Sequence, residues 1–203
     1  MIQVRSREGP VTDKDAFAER GRTLEEDYFR RREQEVIEKM RRGAAADAQR
    51  RQLGEKAGVA DAGVLQDLQE LGYTPETVML LHLVPLIQTA WAEGSVSNQE
   101  RDLIVQAARS RGIDAGSAAD RQLTLWLTER PSDELFDKTL RAIRAILESR
   151  SPEERAASER DLLSLCTAIA SASGGIFGLH AVSDDERQIL ARISQVLDKG
   201  TKA

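Results

Sequence analysis

The chain has 203 residues, enough for one ordinary domain with appendages. It is 40% hydrophobic, 31% charged and 4% aromatic, and its net charge of −5 is spread over mixed signs, which argues against the one-sided basic surface of a nucleic-acid binder. Cys166 is the sole cysteine, which excludes an internal disulfide and fits a reducing compartment.

The opening Met1-Ile2-Gln3-Val4-Arg5 lacks the apolar core of a secretory signal. Residues 1 to about 21 are polar, hold Gly9, Pro10 and Gly21, and show no apolar period, so they read as mostly disordered. Thr23 to Arg42 carries a strong helix signal within residues 22–43. Thr23 and Glu26 have capping-box spacing, acids fill the first turn, and Lys39, Arg41 and Arg42 fill the last. The pairs Glu26/Arg30, Asp27/Arg31, Glu35/Lys39 and Glu38/Arg42 stand four apart and add roughly a few tenths of a kcal/mol each. Gly43 is the expected stop, and residues 44–58, rich in alanine and charge, read as a linker.

The folded body is expected over residues 59–198, with a short tail at 199–203. Asp61 to Leu71 shows a helical stripe of Val64, Leu65, Leu68 and Leu71. Thr74-Pro75 opens a helix expected over Glu76 to Glu93, apolar on nearly every side and therefore buried on nearly every side, with Pro85 bending it. The run Val78 to Ala92, interrupted by His82, Pro85, Gln88 and Thr89, is too short to span a bilayer, and a cytoplasmic location is the expectation. Gly94 suits the left-handed residue that closes it.

Ser97 and Glu100 then cap a helix that turns Leu103, Ile104 and Ala107 inward and stops near Gly112. Ser117 to Glu129 follows, contributing Leu123, Leu125, Trp126 and Leu127 and breaking at Pro131. Ser132 caps a helix striped with Leu135, Phe136, Leu140, Ile143, Ile146 and Leu147. Ser151-Pro152-Glu153-Glu154 starts the next, whose Leu162, Leu163, Leu165, Cys166 and Ile169 read as buried and which ends at Gly174-Gly175. Ser183 and Glu186 cap the last, with Ile189, Leu190, Ile193 and Leu197 inward. No useful stretch alternates with period two, so the fold class is all-α.

One hexad recurs, as Val96-Ser97-Asn98-Gln99-Glu100-Arg101 and as Val182-Ser183-Asp184-Asp185-Glu186-Arg187, 86 positions apart. Each copy follows an apolar segment ending at glycine and opens an amphipathic one. That is the pattern of two helix–loop–helix copies, each unable to cover its own apolar face and so packed together in one core.

The segment Ala90-Trp91-Ala92-Glu93-Gly94-Ser95-Val96-Ser97-Asn98-Gln99-Glu100 resembles the A-x-A-D-G-x-V-S-x-x-E signature of TerB-like, tellurite-resistance-associated domains. The likeness covers about residues 60–198. It implies a small helical bundle of the kind found in bacterial stress proteins, without an established general activity. It also implies a metal site in the acidic residues of the junction, here Glu93 and Glu100, joined by Asp184, Asp185 or Glu186 of the second copy. This chain departs from the pattern in having Glu93 for the usual aspartate, and Ser173-Gly174-Gly175 with no acid in the second copy. A calcium loop of the EF-hand kind fails, because the twelfth position counted from Glu93 is Ile104, not a bidentate glutamate. The competing reading makes Glu100 and Glu186 capping partners of the Ser97 and Ser183 amides. A cap contributes about 1 kcal/mol with no ligand and is the preferred reading.

Glu25-Glu26-Asp27-Tyr28-Phe29-Arg30-Arg31-Arg32-Glu33-Gln34-Glu35 resembles the inhibitory segment of the mitochondrial F-type ATPase inhibitor protein, E-E-x-Y-F-R-x-R-x-x-E, continued by Ile37 and Met40. That resemblance implies a helix wedged into the catalytic head of an ATP synthase. Glu25, Glu26, Tyr28, Phe29 and Arg30 would make the contacts, along with Arg32, Ile37 and Met40. The family's histidine-rich coiled-coil continuation is missing. Independently of it, the stripe Phe29, Val36, Ile37 and Met40 is too thin to anchor the helix in a core, and two adjacent aromatics are costly to leave in water. Tyr28 and Phe29 therefore either fold back on the bundle or dock helix-in-groove on a protein partner.

Candidates for catalysis are poor. His82 reads as core or as a satisfied hydrogen-bond donor, His180 stands alone in sequence, Cys166 reads as a small core residue, and no metalloprotease, phosphate-loop or nucleophile-elbow motif appears. The loop from Gly174 to Val182, with Ile176, Phe177 and Leu179, either covers the bundle or offers a second contact patch. The expectation is a non-enzymatic, stress-associated TerB-like binding module whose N-terminal helix engages a protein. The alternatives are an ATP synthase regulator and a metal-responsive module.

Overall fold

A computed structural model describes the backbone of residues 13–172 and 182–198, and side chains from residue 25 onward. Among these residues every regular element is helical: α1 Asp13–Ala57, α2 Ala62–Glu70, a 3-10 segment Val78–Leu83, α3 Val84–Ala90, α4 Asn98–Ser110, α5 Ala118–Thr128, α6 Asp133–Glu148, α7 Pro152–Ala172 and α8 Asp184–Asp198. The chain divides into two units, Met1–Ala48 and Gln49–Ala203. The expected Gly174-Gly175 stop, the loop Gly174 to Ala181, His180 and the tail 199–203 lie outside the described residues.

Helix α1 corrects three expectations. It begins at Asp13, so residues 13–21 are helical and Thr23 does not stand at a helix start. It passes through Gly43 and the expected linker to Ala57. One interior glycine costs about 1 kcal/mol against alanine, and the Ala44-Ala45-Ala46 that follows is the best helix-forming material there is. Among the ion pairs, Arg42 meets Glu38 at 3.0 Å as expected, but Arg30 takes Asp27 and Arg32 takes Glu35, each three residues away. All are exposed and contribute little.

The stop comes at Gly58 (φ 68°), where the Val59 amide reaches back to the Gly54 carbonyl at 2.9 Å and the Val59 side chain is buried. A left-handed residue followed by a buried apolar one makes the closure of a Schellman motif. What separates Gly58 from Gly43 is the residue that follows: valine has a core to enter, Ala44 does not. The same closure follows α2 and α4, with Tyr73 bonding back to Leu68 and Ile113 to Ala108, both side chains buried.

In the second unit one hydrophobic core runs from Leu53 at the end of α1 to Leu197 in α8. Every residue of α3 is buried, as its all-round apolar pattern demands. The expected single helix from Glu76 to Glu93 is instead a turn at Thr74–Thr77, the 3-10 segment and α3. Pro85 falls in the first turn of α3 rather than inside a helix, where its missing amide proton and its ring cost nothing. Helix α3 packs against α7; α4 packs against both of them, and so does α8.

Two leucines expected to face inward, Leu103 and Leu125, are exposed, and so is Met79 of the 3-10 segment. The buried stripe of α4 is Glu100, Ile104 and Ala108, and that of α5 is Ala119, Leu123, Trp126 and Leu127. At about 100° per residue, Leu103 and Leu125 each sit a quarter-turn or more away from the centre of their helix's stripe. The Tyr73 hydroxyl bonds the Thr139 hydroxyl at 3.1 Å, its ring meets Trp126 edge-on at 6.0 Å, and its phenol pKa is pushed up by burial.

Candidate functional site: two helix starts and an exposed helix face

Both copies of the hexad form the expected capping box. The Glu100 carboxylate accepts from the Ser97 amide at 2.7 Å while the Ser97 hydroxyl accepts from the Glu100 amide at 3.2 Å. Glu186 and Ser183 make the same two bonds at the same two distances. Both glutamates are buried, at 2% and 1% exposure. Burial pushes the Glu100 carboxyl above the usual carboxylate range, against its bonds to Ser97, and the nearby carboxylates Glu186 and Glu93 push it further. The two capping glutamates, 86 positions apart in sequence, are thus neighbours in space. A third box, Ser151 with Glu154, starts α7 at the surface, and there the Ser151 bonds hold the Glu154 carboxyl below the ordinary range.

Glu93 is exposed and lies close enough to Glu100 to act on it, so the two residues expected to hold a metal are brought together. Together they supply two carboxylates, well short of the six to eight oxygens calcium takes, and one Glu100 oxygen is committed to the Ser97 amide. Among the described residues no three His, Cys, Asp or Glu side chains gather to hold an ion.

The partner-binding candidates all lie on α1. Glu25, Glu26, Tyr28, Phe29, Arg30, Arg32, Ile37 and Met40 are every one exposed. Tyr28, Phe29 and Met40 are 64%, 66% and 70% exposed, the three highest values among the exposed large apolar side chains of the described residues. Phe29, Val36 and Met40 are spaced by seven and four, so at about 100° per residue they form one face, with Ile37 at its edge. The Tyr28 and Phe29 rings touch edge-on at 5.9 Å.

Cys166 is fully buried, accepts or donates against Thr89, and has its thiol pushed up to about 12 by burial. It remains a neutral core thiol, as expected. His82 departs from the core expectation: it is half-buried on the wall of a cavity of about 220 Å³ that Arg111 and Arg150 share. Sequence reasoning missed this group because its members come from the 3-10 segment and from the ends of α4 and α6. Only the position of both arginines at helix C-termini, where cations are favoured, was a signal.

Among the described residues no helix is long and apolar enough to cross a membrane. No family model, curated protein or solved structure matches the chain.

Proposed function

We propose that this chain is a non-enzymatic TerB-like binding module of the bacterial stress-associated kind, whose exposed α1 side chains Tyr28, Phe29, Ile37 and Met40 engage a protein partner. The observation that carries the reading is the exposure of these side chains, among them Tyr28, Phe29 and Met40 at 64%, 66% and 70%, above the other exposed large apolar side chains of the described residues. A helix with apolar anchors at this spacing suits an apolar groove on another protein, with Arg30, Arg32, Glu25 and Glu26 setting the rim.

Two helix–loop–helix copies form the bundle in this reading: α3 with α4, and α7 with α8. What supports it is reciprocal packing, each copy's second helix lying on the first helix of both, together with twin buried capping boxes. The likeness to TerB-like domains rests on the junction motif from Ala90 to Glu100. Capture of partners by the full chain and by a Tyr28→Ala/Phe29→Ala variant tests the module reading. The pair should lose the captured protein, and retention at full yield removes the reading.

A second reading, regulation of an F-type ATP synthase head, is favoured by the matching acids, aromatics and arginine standing on one helix. Inhibition of ATP hydrolysis by the full chain, absent without residues 1–43, would establish it. Unchanged hydrolysis with a molar excess of the chain removes it. The metal-responsive reading predicts heat on calorimetric titration with calcium, magnesium or zinc; none at millimolar ion removes it.

A further inference from the structure

We infer that the cavity walled by His82, Arg111 and Arg150 is a binding site for a small organic phosphate monoester. Its cations come from three separate places in the chain: the 3-10 segment, the residue closing α4 and the turn after α6. Arg111 donates to the Ala107 carbonyl at 3.0 Å and Arg150 to the Ser158 hydroxyl at 3.0 Å. Both acceptors are neutral, so among the described residues neither guanidinium has a carboxylate in ion-pair range. In the cavity of about 290 Å³ beside α6 and α8, by contrast, two of the three arginines, Arg144 and Arg192, are held by Glu148 and Asp137 at 2.7 and 2.6 Å.

Asp161 of α7 also lines the His82 cavity and is its one acid; Glu154, beyond the wall, feels Arg150 but is bonded to Ser151. Two fixed positive charges against one carboxylate leave an excess of one, which becomes two when His82 takes up a proton, and a dianion then neutralises it. Guanidinium forks present paired donors that match phosphate oxygens. The remaining wall is apolar, from Ile143, Leu147 and Leu162, which favours a phosphate carried on an organic group over the bare ion. The pocket's own field supports the assignment: burial, then Arg111, then Arg150 hold the His82 imidazole below its ordinary range. A bound dianion offsets both guanidiniums, so His82 takes up a proton more readily when the site is filled.

The test follows the His82 ring by NMR in the full chain, titrating phenyl phosphate and inorganic phosphate at matched ionic strength. Phenyl phosphate should bind on the order of tenfold more tightly than inorganic phosphate, and saturation should raise the His82 pKa. Arg111→Gln and Arg150→Gln should each weaken phenyl phosphate by on the order of tenfold, with thermal melts confirming that the variants fold. Arg150→Lys, which keeps the charge and loses the fork, should fall between. An unmoved His82 signal at millimolar probe, equal affinity for the two probes, or full affinity in the folded Arg111→Gln and Arg150→Gln variants would each overturn the assignment.

Discussion

Gly43 and Gly54 lie on the same helix, yet their surroundings are opposite. A methyl group on Gly43 would meet nothing within 4 Å, whereas on Gly54 it would meet the Val59 carbonyl at 2.8 Å and Leu65 at 3.3 Å. The same division runs through the whole of α1. Residues 30–48 are exposed without exception, and Leu53, a few positions on, is 1% exposed in the core. Burial, not helix propensity, therefore decides what a residue of this helix contributes, and an apolar residue in the exposed part has its use elsewhere.

The comparison is broken most severely at its extremes. Leu86→Ala, in the fully buried α3, should lose about 2–5 kcal/mol of stability by urea unfolding, while Met40→Ala stays within about 0.5 kcal/mol. Equal losses would mean that Met40 is packed. Next come the glycines. Gly54→Ala should destabilise by about 1–3 kcal/mol, since a backbone carbonyl has to move. Gly43→Ala should add helix content by circular dichroism and stabilise by up to about 1 kcal/mol.

Smaller effects separate the capping boxes. Glu100→Ala leaves the Ser97 amide without its partner in a buried place and should cost about 1–2 kcal/mol, more than Glu154→Ala at the surface. Their pH dependence should have opposite sign. Glu100 has a folded pKa above the ordinary 4.5, so its contribution is full below 4.5 and is lost as pH rises through the folded value. Glu154 has a folded pKa below 4.5, so its contribution is present above 4.5 and is lost as pH falls through the folded value. Glu100→Gln, which keeps the acceptor and removes the charge, should therefore be at least as stable as the natural chain at pH 7. Glu154→Gln should be less stable there. Unfolding free energies across pH 3–8 check both.

What the sequence made legible was what short-range chemistry decides. Serine followed three residues on by glutamate is a complete helix start in itself, and it appears at Ser97, Ser151 and Ser183. The all-round apolar pattern of α3 likewise leaves no arrangement but burial. Outcomes set by distant partners were hidden. Gly43 and Gly58 differ only in whether a core waits for the next side chain, and Pro85 is harmless because the preceding residues tighten to a 3-10 segment. The nearness of Glu100 to Glu186 and the sharing of one cavity by His82, Arg111 and Arg150 come from packing between helices remote in sequence. The exposed aromatics of α1 were legible as an anomaly, because a narrow apolar stripe on a charged helix cannot supply a core.

The central claim, that the apolar face of α1 is a protein-binding surface, is tested most directly by photo-crosslinking. A photoreactive residue is placed in the full chain at Phe29 or Met40, on that face, or at Glu38, on the opposite side of the helix. The account expects one and the same protein captured from positions 29 and 40, lost from both when unlabelled natural chain competes, and not captured from position 38. Equal capture from position 38, or no competed capture from the apolar positions, would contradict it.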